Sequence, residues 1–226
     1  MKKSRQNILV IDVGGTNLKF TDSEHKEPMK IPSGPEMTAN RMVTEIRDAT
    51  KDWRYTGVAI GYPGPVQKGK PLAEPHNLGA GWVGLDYEKA FECPVRIVND
   101  AAMQALGSYE GGRMLFLGLG TGLGSALMVE GMLAPMELAH LPYRKGLTYE
   151  DYVGLRGLER LGKAKWRHHA LIVIEQLRAA LGADYVVLGG GNAKFLKELP
   201  REVRMGANEN AFRGGFKLWS DYPAQI

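Results

Sequence analysis

Asp12, Gly14, Gly15 and Thr16 follow directly on the apolar run at residues 8–11. A buried strand that ends in an acid, two glycines and a hydroxyl can bring bare backbone amides up to a phosphate. With positive φ expected at the glycines, successive N–H groups would point into one anion-sized hollow. Asp12 stands where a carboxylate could hold a hydrated Mg²⁺ against that phosphate. The same residues also read as a β-hairpin whose Gly-Gly turn merely reverses the chain. A second unit of this kind follows much later, in Gly118-Leu-Gly-Thr-Gly-Leu-Gly124. It is not a dinucleotide-binding G-x-G-x-x-G, because no glycine falls at the required third position and strand-like sequence follows it. Alone it reads as a glycine-rich hairpin. Two such turns facing each other would clamp a chain of phosphates from both sides.

These turns need strands to hold them. Residues 8–11 read as a first strand, with residues 18–21 as its hairpin partner, and residues 24–35 as polar loops around a short strand. Met42, Ile46, Ala49 and Trp53 recur at helical spacing. Residues 58–60 form a buried strand stopped by Gly61-Tyr-Pro-Gly-Pro65. Residues 94–98 form another, delivering Asn99 and Asp100, both good helix caps, to a helix over residues 101–109. Strands over 114–119 and 124–129 flank the second glycine turn. A helix over 166–181 precedes a strand over 185–188 and Gly189, Gly190 and Gly191. Strands and helices alternate, which makes the class α/β.

The chain has 226 residues, 44% hydrophobic and 24% charged, enough for one large domain or two small ones. Its net charge of +4 does not call for nucleic acid. No apolar stretch approaches the roughly 20 residues of a membrane helix, and the residues before the first strand do not build a signal peptide. The lone Cys93 excludes an internal disulfide and a cysteine-based zinc site, as expected of a cytoplasmic protein.

Taken together, the motifs resemble those of the ROK sugar kinases, within the hexokinase–actin superfamily. Asp12-Val-Gly-Gly-Thr-Asn-Leu-Lys19 is similar to their first phosphate motif, and Gly120-Thr-Gly-Leu-Gly124 to their second. Val187-Leu-Gly-Gly-Gly-Asn192 resembles their adenosine-side motif, Gly61-Tyr-Pro-Gly64 their G-x-P-G turn, and Asn99-Asp100 their catalytic pair. Glu137-Leu-Ala-His140 is similar to the E-x-G-H sugar motif, with Ala139 replacing glycine. Thr148-Tyr-Glu-Asp-Tyr152 resembles the segment carrying the last sugar-binding glutamate, here Glu150. The matches keep the family's order along nearly the whole chain.

The resemblance implies a two-lobed, actin-like (ribonuclease H-like) ATPase fold with an interlobe active-site cleft. Residues 1–103 would form one lobe and 104–226 the other, with a last helix near 209–219 packing back on the first. It implies a kinase of carbohydrate metabolism, a transferase moving a phosphoryl group from ATP or inorganic polyphosphate to a hexose, foremost glucose. Mannose, an N-acetylated amino sugar, or a non-catalytic sugar sensor are the alternatives. Asp100 would be the general base, equally readable as a helix cap. Asp12, Gly14, Gly15, Thr16, Lys19, Gly120, Thr121, Gly122, Gly189, Gly190, Gly191 and Asn192 would hold the donor, with Mg²⁺ at Asp12 through water. Gly64, Asn77, Asn99, Glu137, His140 and Glu150 would line the sugar. By themselves, His140 reads as a core histidine, Glu150 as an exposed helix-start glutamate and Asn77 as a turn residue. The family's cysteine-rich zinc loop is missing between His140 and Glu150, so no zinc is expected. The short form is similar to the polyphosphate glucokinase branch. Homodimerisation is a family-level expectation, and with seven residues before the first strand direct DNA binding is not expected. Arg144, Lys145, Arg156, Arg160, Lys163, Lys165, Arg167, His168 and His169 form either a polyanion groove or, as charge runs usually do, a solvated face.

Overall fold

The computed structural model describes residues 6–25, 27–207 and 209–220. They fall into two compact units: residues through 103 together with those from 211 onward, and residues 104–210.

In the first unit, β1 (Ile8–Val13), β2 (Asn17–Asp22) and β3 (Met29–Pro32) form an antiparallel meander. Helix α1 (Ala39–Ala49) leads to β4 (Gly57–Tyr62). The small hairpin of β5 (Val66–Gln67) and β6 (Lys70–Pro71) and the short α2 (Tyr87–Phe91) precede β7 (Val95–Asn99) and α3 (Asp100–Ser108). The sheet order is β3-β2-β1-β4-β7, with β1, β4 and β7 mutually parallel. Parallel strands are covered on both faces, which explains why β4 is buried along its whole length. Thr38 caps α1 by accepting from Arg41 N, and Met42, Val43 and Ile46 make its buried stripe.

The second unit repeats this plan. β8 (Arg113–Leu119), β9 (Leu123–Val129) and β10 (Met132–Met136) form an antiparallel meander. After the small hairpin β11 (Pro142–Arg144) and β12 (Leu147–Thr148) come α4 (Tyr149–Val153) and α5 (Leu155–Leu181), then β13 (Tyr185–Gly189) and β14 (Val203–Met205). The order β10-β9-β8-β13-β14 has β8, β13 and β14 parallel, the direction pattern of the first sheet. Each glycine turn therefore joins the first two strands of its own meander.

Helix α5 starts well before residue 166. Gly162 (φ 73°, ψ 159°) breaks its regular path, and this break scrambles the apolar period that sequence alone could follow. Trp166 anchors the part after the break, fully buried and donating from Nε1 to Val153 O at 2.9 Å. β10 and β14 escaped the sequence reading because β10 is largely exposed, with Pro135 on an edge, and β14 is three residues long. Among the described residues no helix is long and apolar enough to cross a membrane.

The last helix, α6 (Asn210–Ser220), packs on the first unit's strands. Gly215 lies where any side chain would meet Val10 of β1, and the Trp219 ring covers Gly57 of β4. Arg96 of β7 donates to Leu218 O and spreads its guanidinium 4.5 Å over the Trp219 ring. Gly215→Leu must push α6 off β1 at a cost of about 1–3 kcal/mol of overpacking. Thermal unfolding should shift down by roughly 2–4 °C per kcal/mol for a chain of this size; an unchanged midpoint would contradict this packing.

Candidate active site

The first unit gathers its polar groups at the carboxyl ends of β1, β4 and β7, the edge where open α/β sheets bind ligands. Parallel register sets Asp12 beside Gly61 and Gly61 beside Val98, with Asn99 closing β7 next to Tyr62. Because Gly61 has no side chain, Met103 of α3 packs directly over it, and this brings the Asp100 backbone close to β4. Asn99 is the cap of α3: its Oδ1 accepts from Ala101 N at 2.9 Å and Ala102 N at 3.3 Å. Its Nδ2 donates to Gly64 O at 3.0 Å, tying the turn after β4 to the start of α3. Asp100 occupies the first helical position, where its Oδ1 accepts from Ala101 N at 2.7 Å. A carboxylate there is favoured in its charged form by the helix dipole.

Asp12 faces Lys19 across the hairpin, with Nζ and Oδ2 3.7 Å apart. Burial pushes the Asp12 carboxyl up, against the pull of Lys19. A nearby cation would favour the charged carboxylate, as a hydrated Mg²⁺ held by one carboxylate and donor oxygens would require. Among the described residues no cluster of three or more His, Cys, Asp or Glu side chains gathers around a metal position.

Contrary to expectation, neither Gly14 nor Gly15 has positive φ. Gly14 is required by crowding instead: a Cβ there would stand 2.7 Å from Asn17 O, the acceptor of Gly14 N. Ser33, which carried no motif, holds the turn by donating from Oγ to Gly14 O at 2.6 Å and from N to Thr16 O at 2.9 Å. In a trans peptide the carbonyl and the following N–H point opposite ways, so the Gly15 amide is turned away from Ser33. Gly15 and Thr16 are exposed, and the Asn77 side chain packs against Gly15.

In the second unit the turn after β8 is held from two sides. Asn192 donates from N to Leu119 O at 2.9 Å and from Nδ2 to Gly120 O at 2.8 Å. Gly190, at φ 81°, is pressed so closely on Leu119 that only glycine fits, and Gly189 is similarly confined by Phe116; Gly191 is open. On the other side Leu155 N donates to Thr121 O at 3.0 Å, and Gly154 leaves room for that carbonyl. With the Gly120 and Thr121 carbonyls engaged, the amides of Thr121 and Gly122 are directed away from their clamps. Amides freed of partners in this way are what an anion-binding nest is built from.

Of the expected sugar residues, the second unit carries Glu137, His140 and Glu150. Leu138 and Ala139 are buried, which leaves Glu137 and His140 projecting on either side. Their Oε2 and Nε2 lie 3.9 Å apart, with side chains 65% and 75% exposed, so His140 is not a core histidine. Ser125 fixes this turn, donating to Met136 O and accepting from Leu138 N. Glu150 is on the glycine turn. Its Oε2 accepts from Leu123 N at 3.2 Å and fills the space beside Gly122, while Oε1 is 3.6 Å from Arg156 Nη2.

The chain is 25% identical over 203 aligned residues to the polyphosphate glucokinase of Mycobacterium tuberculosis, covering 80% of this chain and 76% of that one. Its fold is similar to that of the inorganic polyphosphate/ATP-glucomannokinase from Arthrobacter sp. strain KM, with TM-score 0.80, 21% identity and coverage of 96% and 100%. It is also similar to a ROK family glucokinase from Streptomyces griseus solved with glucose and AMPPNP, with TM-score 0.70, 16% identity and coverage of 94% and 98%. Residues 8–135, more than half of the sequence, match the ROK family. This chain belongs to the ROK family.

Proposed function

We propose that the chain is a sugar kinase that transfers a phosphoryl group from ATP or inorganic polyphosphate to a hexose hydroxyl, with glucose as acceptor and glucose 6-phosphate as product. The observation that carries the reading is Asp100 at the first position of α3, on the strand edge that also presents Asp12 and the first glycine turn. The proton of the attacking hydroxyl passes to the Asp100 carboxylate as the hydroxyl oxygen bonds to the terminal phosphorus. The bond from that phosphorus to the donor's bridging oxygen breaks, releasing ADP or a polyphosphate one unit shorter. Asn99, fixed between Gly64 O and the amides of α3, holds that carboxylate in place. In the first unit the outward amide of Gly15 and Lys19 bind donor oxygens; in the second, the outward amides of Thr121 and Gly122 do. Asp12 would hold Mg²⁺, which when bound neutralises charge on the donor phosphates.

Glu137 and His140 of the second unit bind sugar hydroxyls, and Asn77 and Asn99 are the candidates for this role in the first. Glu150 acts chiefly on the second glycine turn, since its Oε2 is engaged by Leu123 N. Charged acceptors against hydroxyls make strong directional bonds, so few groups suffice to define a pyranose. The relatives named for glucose and for glucose with mannose favour a hexose acceptor.

A coupled assay crossing glucose, mannose and N-acetylated hexoses with ATP and polyphosphate tests the assignment. Glucose 6-phosphate formation from either donor is expected; no product from any pair would remove the kinase reading. Asp100→Asn should lower kcat about 10²- to 10⁴-fold, the range of general-base catalysis, with glucose affinity by calorimetry unchanged. Near-normal turnover would exclude Asp100 as base. Gly122→Ala must displace the Glu150 carboxylate, and should raise the donor KM about tenfold, roughly the 1.4 kcal/mol of one lost charged hydrogen bond. A raised glucose KM with the donor KM unmoved would return Glu150 to the sugar.

A further inference from the structure

The basic residues of the second unit are not equivalent. Arg156 lies between two carboxylates, 3.6 Å from Glu150 and 3.7 Å from Asp151. Arg160 donates to Asp151 O and sits 5.0 Å over the Tyr152 ring. Arg144 covers Tyr143, whose hydroxyl is 3.0 Å from His169 Nδ1. These groups are occupied in holding the structure. Lys163 and Lys194, like Arg144, are in no ion pair among the described residues.

Instead, both ammonium groups converge on one ring. Lys163 Nζ is 4.7 Å and Lys194 Nζ 5.3 Å from the centroid of Phe195. The two are brought there by different devices. The break at Gly162 redirects the chain just before Lys163. Lys194 sits in a 3₁₀ turn that starts directly after Asn192, the residue clamping Leu119 and Gly120 of the glycine turn. Phe195 is itself fixed edge-on against buried Trp166, with centroids 6.4 Å apart. Each ammonium is held near this ring without a carboxylate to neutralise it, so both remain available to an anion. With both ammonium groups drawn to the ring, Phe195 serves cations and offers a purine a poor stacking face.

We propose that Lys163 and Lys194 form an accessory donor site that binds the phosphates of a linear polyphosphate beyond those held by the glycine turn, and so favours polyphosphate over ATP. The donor assignment rests on the kinase reading above. A chain of phosphates passing the turn gains a charge-assisted contact at each lysine and releases its own counterions, whereas ATP ends in a nucleoside that gains neither.

The test compares Lys163→Gln, Lys194→Gln and the double variant of the full chain with a control, Lys51→Gln, on the exposed end of α1's loop. The ratio of kcat/KM with long-chain polyphosphate to kcat/KM with ATP should fall at least tenfold in the double variant and stay constant in the control. Its dependence on salt should flatten as well. An unchanged ratio, or equal losses with both donors, would overturn the proposal. Direct binding of sodium polyphosphate, measured by calorimetry, separates this failure from that of the kinase reading. If no donor supports turnover yet the double variant loses at least tenfold in polyphosphate affinity, the site stands and the kinase assignment falls. If affinity is unmoved, the site falls whatever the turnover.

Discussion

A turn can offer its amides to a phosphate only if its carbonyls are occupied elsewhere, because the two alternate in direction along the backbone. That constraint governs the second glycine turn. Asn192 takes the carbonyls of Leu119 and Gly120, and Leu155 takes that of Thr121. Left unpaired, these carbonyls would face an incoming phosphate and repel it. The glycines at 154 and 190 are consequences of the same clamp, since each lies where a side chain would strike a turn carbonyl. Ser33 does the corresponding work for the first turn, with a hydroxyl on Gly14 O and an amide on Thr16 O.

The two units reach this result through one topology. Each places its turn between the first and second strands of a meander, and each adds two parallel strands beside the first. The parallel strands supply the remaining groups. In the first unit the strand furthest from the meander ends in Asn99 and leads into Asp100, at the same sheet edge as Asp12. In the second, β13 ends in the glycines that lead to Asn192. The first sheet edge therefore carries acids, and the second a glycine turn whose carbonyls are clamped.

Much of this was legible in the sequence, where side-chain type alone fixes local geometry. The apolar runs ending in Asp12 and Asn99 gave the strands, and the glycine spacing marked both turns. Asn99 read as a cap because an amide side chain just before an apolar helix has few other uses, and it caps α3. The roles set by contacts distant in sequence were not legible. Ser33 lies in an unremarkable polar stretch, and its position depends on the β2–β3 register. The contact of Glu150 with the glycine turn was not legible either, because it depends on the path from α4 to α5. Gly162 hid half of a helix, because a residue at φ 73° shifts the phase of every apolar position beyond it. The basic run could be sorted only once its partners were known.

The most direct test of the clamped-nest account is a backbone amide NMR titration of the full chain with AMPPNP and, separately, with short-chain polyphosphate. The account predicts saturable shifts at Thr121 and Gly122 with either ligand, larger than those at Gly120 and Leu123, whose amides are already bonded to Gly122 O and Glu150. Donor binding that leaves the Thr121 and Gly122 amides unmoved would contradict it.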